Sequence, residues 1–196
     1  SIGVEEDYSS SWKNPRREDA MAPHNIPMVV RAAQHLPPAD KYIFVCLREH
    51  VQSYPLEKEI TSVYAQAKIV ALDALTEGQA CTCEIGIKNS NIDLEKPLLI
   101  SACDNGVYYD NIKYSKMIND ETIDCIIWAF KNNPTSKNNP NMYAWLDVDR
   151  SDNIKYVSVK KCIFENPYDH YAIIGTMFFR KGKYLGFIVP NTWQTI

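Results

Sequence analysis

Lys41-Tyr42-Ile43-Phe44-Val45-Cys46-Leu47 and Pro97-Leu98-Leu99-Ile100-Ser101-Ala102-Cys103, the second running into Asp104-Asn105-Gly106, decide the fold of this chain. Both are short, continuous apolar runs of the kind buried on both faces of a parallel sheet. Before the first run, Asn25 can cap a helix and Pro27 sits near its first turn. Met28, Val29, Ala32, Ala33 and Leu36 form its apolar stripe, and Pro37-Pro38 stops it. After the first run, a second helix begins near Pro55 with Leu56, Ile60 and Val63 on one face, and Ala67 to Leu72 reads as another buried strand. Thr76-Glu77-Gly78-Gln79 has the spacing of a capping box for a helix running toward Lys88. Strand, helix, strand, helix, strand opens a doubly wound α/β domain.

Beyond about Asp110 the pattern turns into successive strands: Thr122 to Phe130, Met142 to Val148, Ile154 to Val159 and Ala172 to Phe179. They are broken by turn-rich Asn132-Asn133-Pro134 and Ser151-Asp152-Asn153. A mixed sheet with antiparallel additions is therefore expected. Residues 1 to 24 mix charge, serine and proline with no sustained period and read as an extension or incomplete segment. Arg16 and Arg17 there could touch a phosphate, although a solvated charge cluster is the plainer account. A chain beginning on Ser1 also raises the expectation that something upstream has been removed.

The 196 residues, 45% of them hydrophobic, suffice for one sizeable core and point to one domain over residues 25–196. With 21 Lys and Arg against 24 Asp and Glu, the net charge is −3, so no basic surplus draws in nucleic acid. Tyr171 to Phe179 is far shorter than the roughly 20 residues of a membrane-spanning helix, and the first residues form no signal-peptide core. A soluble, cytoplasmic protein without membrane partners is expected. Cys46, Cys81, Cys83, Cys103, Cys125 and Cys162 lack paired zinc spacing and read as reduced, largely buried thiols.

Asp104 is the most informative carboxylate, because an acid at the C-terminal end of an inner parallel strand faces the crevice where open α/β sheets bind ligands. It could hold Mg²⁺, which takes one or two protein oxygens and completes its shell with water and phosphate. Asp-Asn-Gly is also turn chemistry, and on spacing alone the turn is favoured. The segment from Thr76 to Gln79 is by default a helix cap, yet small Gly78 and Ala80 would also let a base or phosphate approach the backbone. Of Lys160 and Lys161, on opposite sides of a strand, only one can face a site. Trp128, Tyr143 and Trp145 could form a sugar-stacking wall, with core packing the alternative. His24, His35, His50 and His170 have no partner at metal or triad spacing, and no G-x-S-x-G is present, so nucleophilic catalysis has no support.

In this order, the residues resemble the sugar-phosphate nucleotidyltransferases, including the glucose-1-phosphate thymidylyltransferase and mannose-1-phosphate guanylyltransferase types. Asn25-Ile26-Pro27-Met28 is similar to that family's G-K-P-M segment, and Lys41 to Leu47 to its next core strand. Glu77-Gly78-Gln79-Ala80 resembles the segment against the nucleotide base, and Ser101-Ala102-Cys103-Asp104 the strand ending in the Mg²⁺-binding aspartate. Met142-Tyr143-Ala144-Trp145 is similar to the tyrosine-glycine strand, and Lys161 matches the lysine that holds the sugar phosphate. Ala172 to Phe179, with Gly175 and Thr176, resembles the strand lining the sugar pocket. The match spans roughly residues 25 to 181.

The resemblance implies an α/β, Rossmann-like nucleotidyltransferase fold with a mixed, mostly parallel central sheet and antiparallel additions. It further implies Mg²⁺ as cofactor, and a nucleoside triphosphate and a sugar 1-phosphate or similar acceptor as substrates. Asp104 and Lys161 would be catalytic; Glu77, Gly78, Gln79, Tyr143, Gly175 and Thr176 would bind substrate. A homo-oligomer is left open. The chain departs from the family in lacking its G-x-G-[ST]-R loop, in Lys160, Cys162 and Ala144 where the family has glutamate, proline and glycine, and in showing no second metal aspartate before Ile196. A fragment is therefore expected. The rivals are a non-catalytic nucleotide- or sugar-phosphate-binding module, and an interaction domain whose strands after Asp110 and aromatic residues serve a partner surface.

Overall fold

The computed structural model describes residues 2–4, 21–22, 26–159 and 161–187. In chain order the strands and helices are β1 (Ile2–Val4), β2 (Met21–Ala22), β3 (Ile26–Pro27), α1 (Met28–Gln34), β4 (Ile43–Leu47), α2 (Arg48–Ser53), α3 (Leu56–Val63) and β5 (Lys68–Leu72). There follow α4 (Gln79–Lys88), β6 (Leu98–Ile100), α5 (Asn111–Asn119), β7 (Cys125–Phe130), α6 (Pro134–Asn138), β8 (Ala144–Val148), β9 (Ile154–Val159) and β10 (Tyr171–Phe179). No helix among the described residues is long and apolar enough to cross a membrane.

The class is α/β with parallel and antiparallel strands mixed. β4 and β5 pair in parallel from Ile43 opposite Lys68 to Leu47 opposite Leu72. A six-stranded sheet runs β1-β7-β10-β8-β9, with β6 also on β10. β1 lies parallel to β7, whereas β10 is antiparallel to β6, β7 and β8, and β8 to β9. Successive residues of β7 serve opposite faces, as the pleat requires. Ile126 and Trp128 join Val107, Met117 and Phe178 in a cluster covered by Tyr114 and Ile118 of α5, and Ile127 and Ala129 pack with Leu146 on the other side. A third cluster sets Val30 of α1 and Ile60 of α3 against Phe44 and Cys46 of β4.

Two contacts tie these layers together. Gly86 of α4 sits so close to β4 that a Cβ there would lie 2.7 Å from Val45 Cγ2. Arg180, just past β10, donates from Nε to the Ile123 carbonyl at 2.7 Å and from Nη1 to the Ile118 carbonyl at 3.0 Å, and it also reaches the Asp120 carbonyl. Its guanidinium thus ties the end of α5 to the turn that leads into β7.

Several elements differ from the sequence reading. Between Asp110 and the strand expected from Thr122, the chain forms helix α5, for which no element was expected; the Asp110 carboxylate accepts from the backbone N–H groups of Ile112 at 2.8 Å and Lys113 at 3.0 Å. That is an N-cap at its preferred residue type. Asn133 likewise caps α6 with Pro134 in its first turn, where only a turn was expected, and α2 follows β4 directly. Thr76 and Gln79 form no capping box: α4 has Gly78 at its N-cap position and no side-chain cap. Arg16, Arg17, His24, Asn25, Lys160 and residues 188–196 lie outside the described residues. β1, three residues long, is too short to show a period in the sequence.

Gly86→Ala tests the α4–β4 contact. The overpacking term, about 1–3 kcal/mol, is set against a helix-propensity gain of about 1 kcal/mol, leaving a net loss of up to about 2 kcal/mol. Urea denaturation should show that loss in the native background and its disappearance in Val45→Ala, which removes the methyl that the new Cβ meets.

Candidate functional site

One cleft of about 1810 Å³ opens between the β4 side of the molecule and the six-stranded sheet. Its mouth collects Glu77, Gly78 and Gln79 from the start of α4, Asp104 and Asn105 from the loop after β6, Tyr143 before β8, and Gly175 in β10. These come from widely separated parts of the sequence, and the fold alone brings them to one place. This is the C-terminal side of β5 and β6, where open α/β sheets bind ligands.

Gly175 shapes the mouth. Its φ of +96° is left-handed backbone that glycine alone adopts without strain, and the pairing of β10 with β7 shifts register between Ile173 and Met177. At this bulge the Gly175 carbonyl accepts from Gln79 Nε2 at 2.6 Å. A Cβ at Gly175 would lie 3.2 Å from Ala102 Cβ and 3.3 Å from Gln79 Oε1. The Gln79 amide therefore bridges α4 to β10 instead of capping its own helix. Thr76 turns to Thr82, Oγ1 to Oγ1 at 2.6 Å, and to the Gly78 carbonyl at 3.1 Å. With no side-chain cap, the first N–H groups of α4 remain available to an anion at the mouth.

Asp104 stands four positions beyond the end of β6, exposed, and accepts from Asn105 Nδ2 at 3.1 Å. Magnesium binds through one or two carboxylates plus water and substrate phosphate. An exposed carboxylate at the mouth fits such a shared ion, whereas no group of three or more His, Cys, Asp or Glu among the described residues forms an all-protein cage. Tyr143 lines the mouth, and burial pushes its phenol above the ordinary range, keeping it a neutral donor. Trp128 and Trp145 are 3% and 0% exposed and belong to the core, so the aromatic wall reduces to Tyr143.

Two expected site residues stand apart from the cleft lining. Thr176 is fully buried and shares a hydrogen bond with Ser101 at 3.0 Å. Lys161 is exposed just past β9, and its carbonyl accepts from Ser158 Oγ at 2.7 Å. Conversely, Lys131 lines the cleft, with its ammonium 5.3 Å from the Tyr171 ring centroid, a cation–π arrangement. Its signal in the sequence was its place as the first residue after the apolar run of β7. His170 stacks on Phe164 with ring centroids 3.6 Å apart, and His35 lies edge-on to Tyr108.

The cysteines are free thiols, Cys46 buried and Cys103 exposed. Burial pushes Cys46, Cys83 and Cys125 up to about 11, so each stays a neutral thiol until the pH rises toward that value. Mass spectrometry after iodoacetamide treatment at pH 8 should find these three unmodified in native protein and modified in urea. For the bulge, Gly175→Ala should lose about 1–3 kcal/mol of stability through strain. Gln79→Ala should lose about 1 kcal/mol. The double variant should lose less than the sum, because both changes act on one contact.

No family model matches the sequence. No curated protein matches it either. Among solved structures, the nucleoside-diphosphate-sugar pyrophosphorylase from Vibrio cholerae RC9 is similar, with a TM-score of 0.60 at 12% identity over 98% of this chain and 80% of that one. The chain thus shares the α/β fold of a nucleotidyltransferase-like protein, and at that identity the likeness is one of fold alone.

Proposed function

We propose that this chain is a nucleotidyltransferase that joins the nucleoside monophosphate part of a nucleoside triphosphate to a sugar 1-phosphate or similar phosphate acceptor, releasing pyrophosphate. The observation that carries this reading is the convergence of Gly78, Gln79, Asp104 and Gly175 on one cleft mouth. The fold likeness to a sugar-nucleotide enzyme supports it. In the reaction an acceptor phosphate oxygen forms a bond to the α-phosphorus while the bond from that phosphorus to the bridging oxygen of pyrophosphate breaks. Such chemistry needs little from side chains beyond positioning and charge neutralisation.

The base would lie against Gly78 and Gln79, where the space beside Gly78 is open. Glu77 and Tyr143 would contact substrate from the rim, and Gly175 would leave room for the sugar. Asp104 would hold Mg²⁺, which when bound neutralises charge on the phosphates. Lys161 is assigned to the acceptor phosphate, and Thr176 to the sugar pocket, by the family resemblance alone. A non-catalytic binding module is favoured by one observation: none of the seven glycines falls in a G-x-G phosphate loop.

Thermal unfolding with each nucleoside triphosphate and several sugar 1-phosphates, with and without Mg²⁺, tests the reading. A ligand at about a hundredfold excess over Kd should add about 2.7 kcal/mol of stability. The shift should require Mg²⁺ and vanish in Asp104→Ala. A shift indifferent to Asp104 would remove that residue from the site, and no shift with any ligand would overturn the proposal. Binding without formation of nucleotide sugar would establish the binding module instead.

A further inference from the structure

Among the described residues, the charged side chains that line the cleft are two acids, Glu77 and Asp104, and two cations, Lys41 and Lys131. The cations lie at different ends. Lys41 precedes β4, which starts at Ile43 opposite Lys68, and Lys68 donates from Nζ to the carbonyl of Asn89, the residue that closes α4. Gln79, at the mouth, begins the same helix. Lys41 therefore stands at the far end of α4 from the mouth.

Lys131 stands at the mouth end. β6 and β7 both run antiparallel to β10, on its two edges, and Met177 of β10 pairs with Ile100 of β6 and with Ile127 of β7. The two strands thus run the same way, their backbones two inter-strand spacings apart, ~10 Å. Asp104 follows Ile100 by four positions and Lys131 follows Ile127 by four, so both leave the sheet at one end. Side chains alternate along a strand, which puts Lys131 on the face of Ile127 and Ala129, the face that Ile127 turns to the cleft. Tyr171 belongs to that face too, and the Lys131 ammonium lies 5.3 Å from its ring centroid. A ring face attracts a cation without bringing a counter-charge, so the ammonium is held in place with its charge and donors intact.

The backbone beyond Lys131 is pinned. Asn132 has a φ of +62°, and its N–H donates to the Tyr168 carbonyl at 2.7 Å. Fully buried Ser136 donates from Oγ to the Asn133 carbonyl at 2.7 Å. On the other side of the lysine, Phe130 lies edge-on to Tyr143, with ring centroids 5.6 Å apart, which brings the neutral phenol of the lining near the same place.

We infer that Lys131 is the residue that holds the phosphate of the acceptor, a role that the family resemblance alone gives to Lys161. The ligand class is a phosphomonoester, whose dianion meets the ammonium of Lys131. Glu77 adjoins the segment assigned to the base, so an acceptor phosphate there would meet a like charge; at Lys131 it meets the opposite one. Lys131 is half-buried and its charge is screened less than that of an exposed lysine such as Lys161, which lies past the edge strand β9. Nucleotide and acceptor then take opposite sides of the Gly175 bulge. The inference rests on the reading of the cleft as a nucleotidyltransferase site.

Titration calorimetry tests it, with glucose 1-phosphate and inorganic phosphate as acceptor probes and each nucleoside triphosphate with Mg²⁺ as donor probes. Lys131→Ala should weaken the phosphate probes at least about tenfold, the loss of one charge-assisted hydrogen bond, and leave nucleoside triphosphate binding within about twofold. Lys131→Arg should restore most of the affinity, and Lys161→Ala should change it little. Lys131→Gln keeps the stem over Tyr171 and serves if the alanine variant does not fold. Phosphate binding lost in Lys161→Ala and kept in Lys131→Ala would overturn the inference, as would native protein that binds neither phosphate probe at millimolar concentration; donor binding would leave the nucleotidyltransferase reading standing in both cases. Phosphate binding through Lys131 in a protein that binds no nucleoside triphosphate would keep the phosphomonoester site and overturn that reading instead.

Discussion

The closeness of α4 to β4 at Gly86 is the constraint on which the rest of this structure depends. A helix can approach a strand this nearly only where a side chain is missing, and Val45 Cγ2 occupies the space a Cβ would need. With its last turn held there, α4 lies along β4 and β5 while Ala80, Cys83 and Ile87 reach the cluster around Ile100 of β6. The same helix thus joins two sheets that have no strand in common. Its uncapped first turn is carried to the C-terminal side of the strands, where ligands of α/β proteins collect.

A second constraint divides the cleft. The bulge at Gly175 takes one carbonyl out of the β10 ladder and presents it to Gln79, so the mouth is framed by polar groups from two layers. Elsewhere in the cleft the lining is apolar, with Ile43, Val45, Leu98, Ile100, Ile127 and Met177. A polar rim suits a charged, hydrogen-bonding ligand.

The larger sheet is held by burial rather than by charge. Ile126, Trp128 and Phe178 pack beneath α5, and Ile127, Ala129 and Leu146 on the opposite face. The ion pairs of Glu95 with Lys181 and Lys183 are exposed and contribute little in water. Arg180 acts differently, because its planar fork donates at once to the Ile118 carbonyl near the end of α5 and the Ile123 carbonyl just before β7. It anchors the helix covering the Trp128 face to the end of the central strand β10.

The apolar runs of β4, β5, β7 and β10 were legible in the sequence because continuous burial leaves an unbroken hydrophobic stretch, and the chain order of strands and helices announced the α/β class. Asp104, Gly78 and Gly175 were also visible, as an acid or a glycine beside such runs. The helix caps Asp110 and Asn133 were missed because a single capping residue resembles turn chemistry until its hydrogen bonds are seen. Gln79 was read as a local cap, since spacing along the chain cannot show that its partner is a carbonyl 96 positions away. The place of Lys131 in the cleft lining was equally hidden, because local pattern does not show which side chains the fold brings together. The sequence by itself determined which segments must be buried, through hydrophobicity that each segment carries alone. Tertiary structure decided which polar groups meet at the mouth, because that depends on long-range approach between segments that local pattern does not encode.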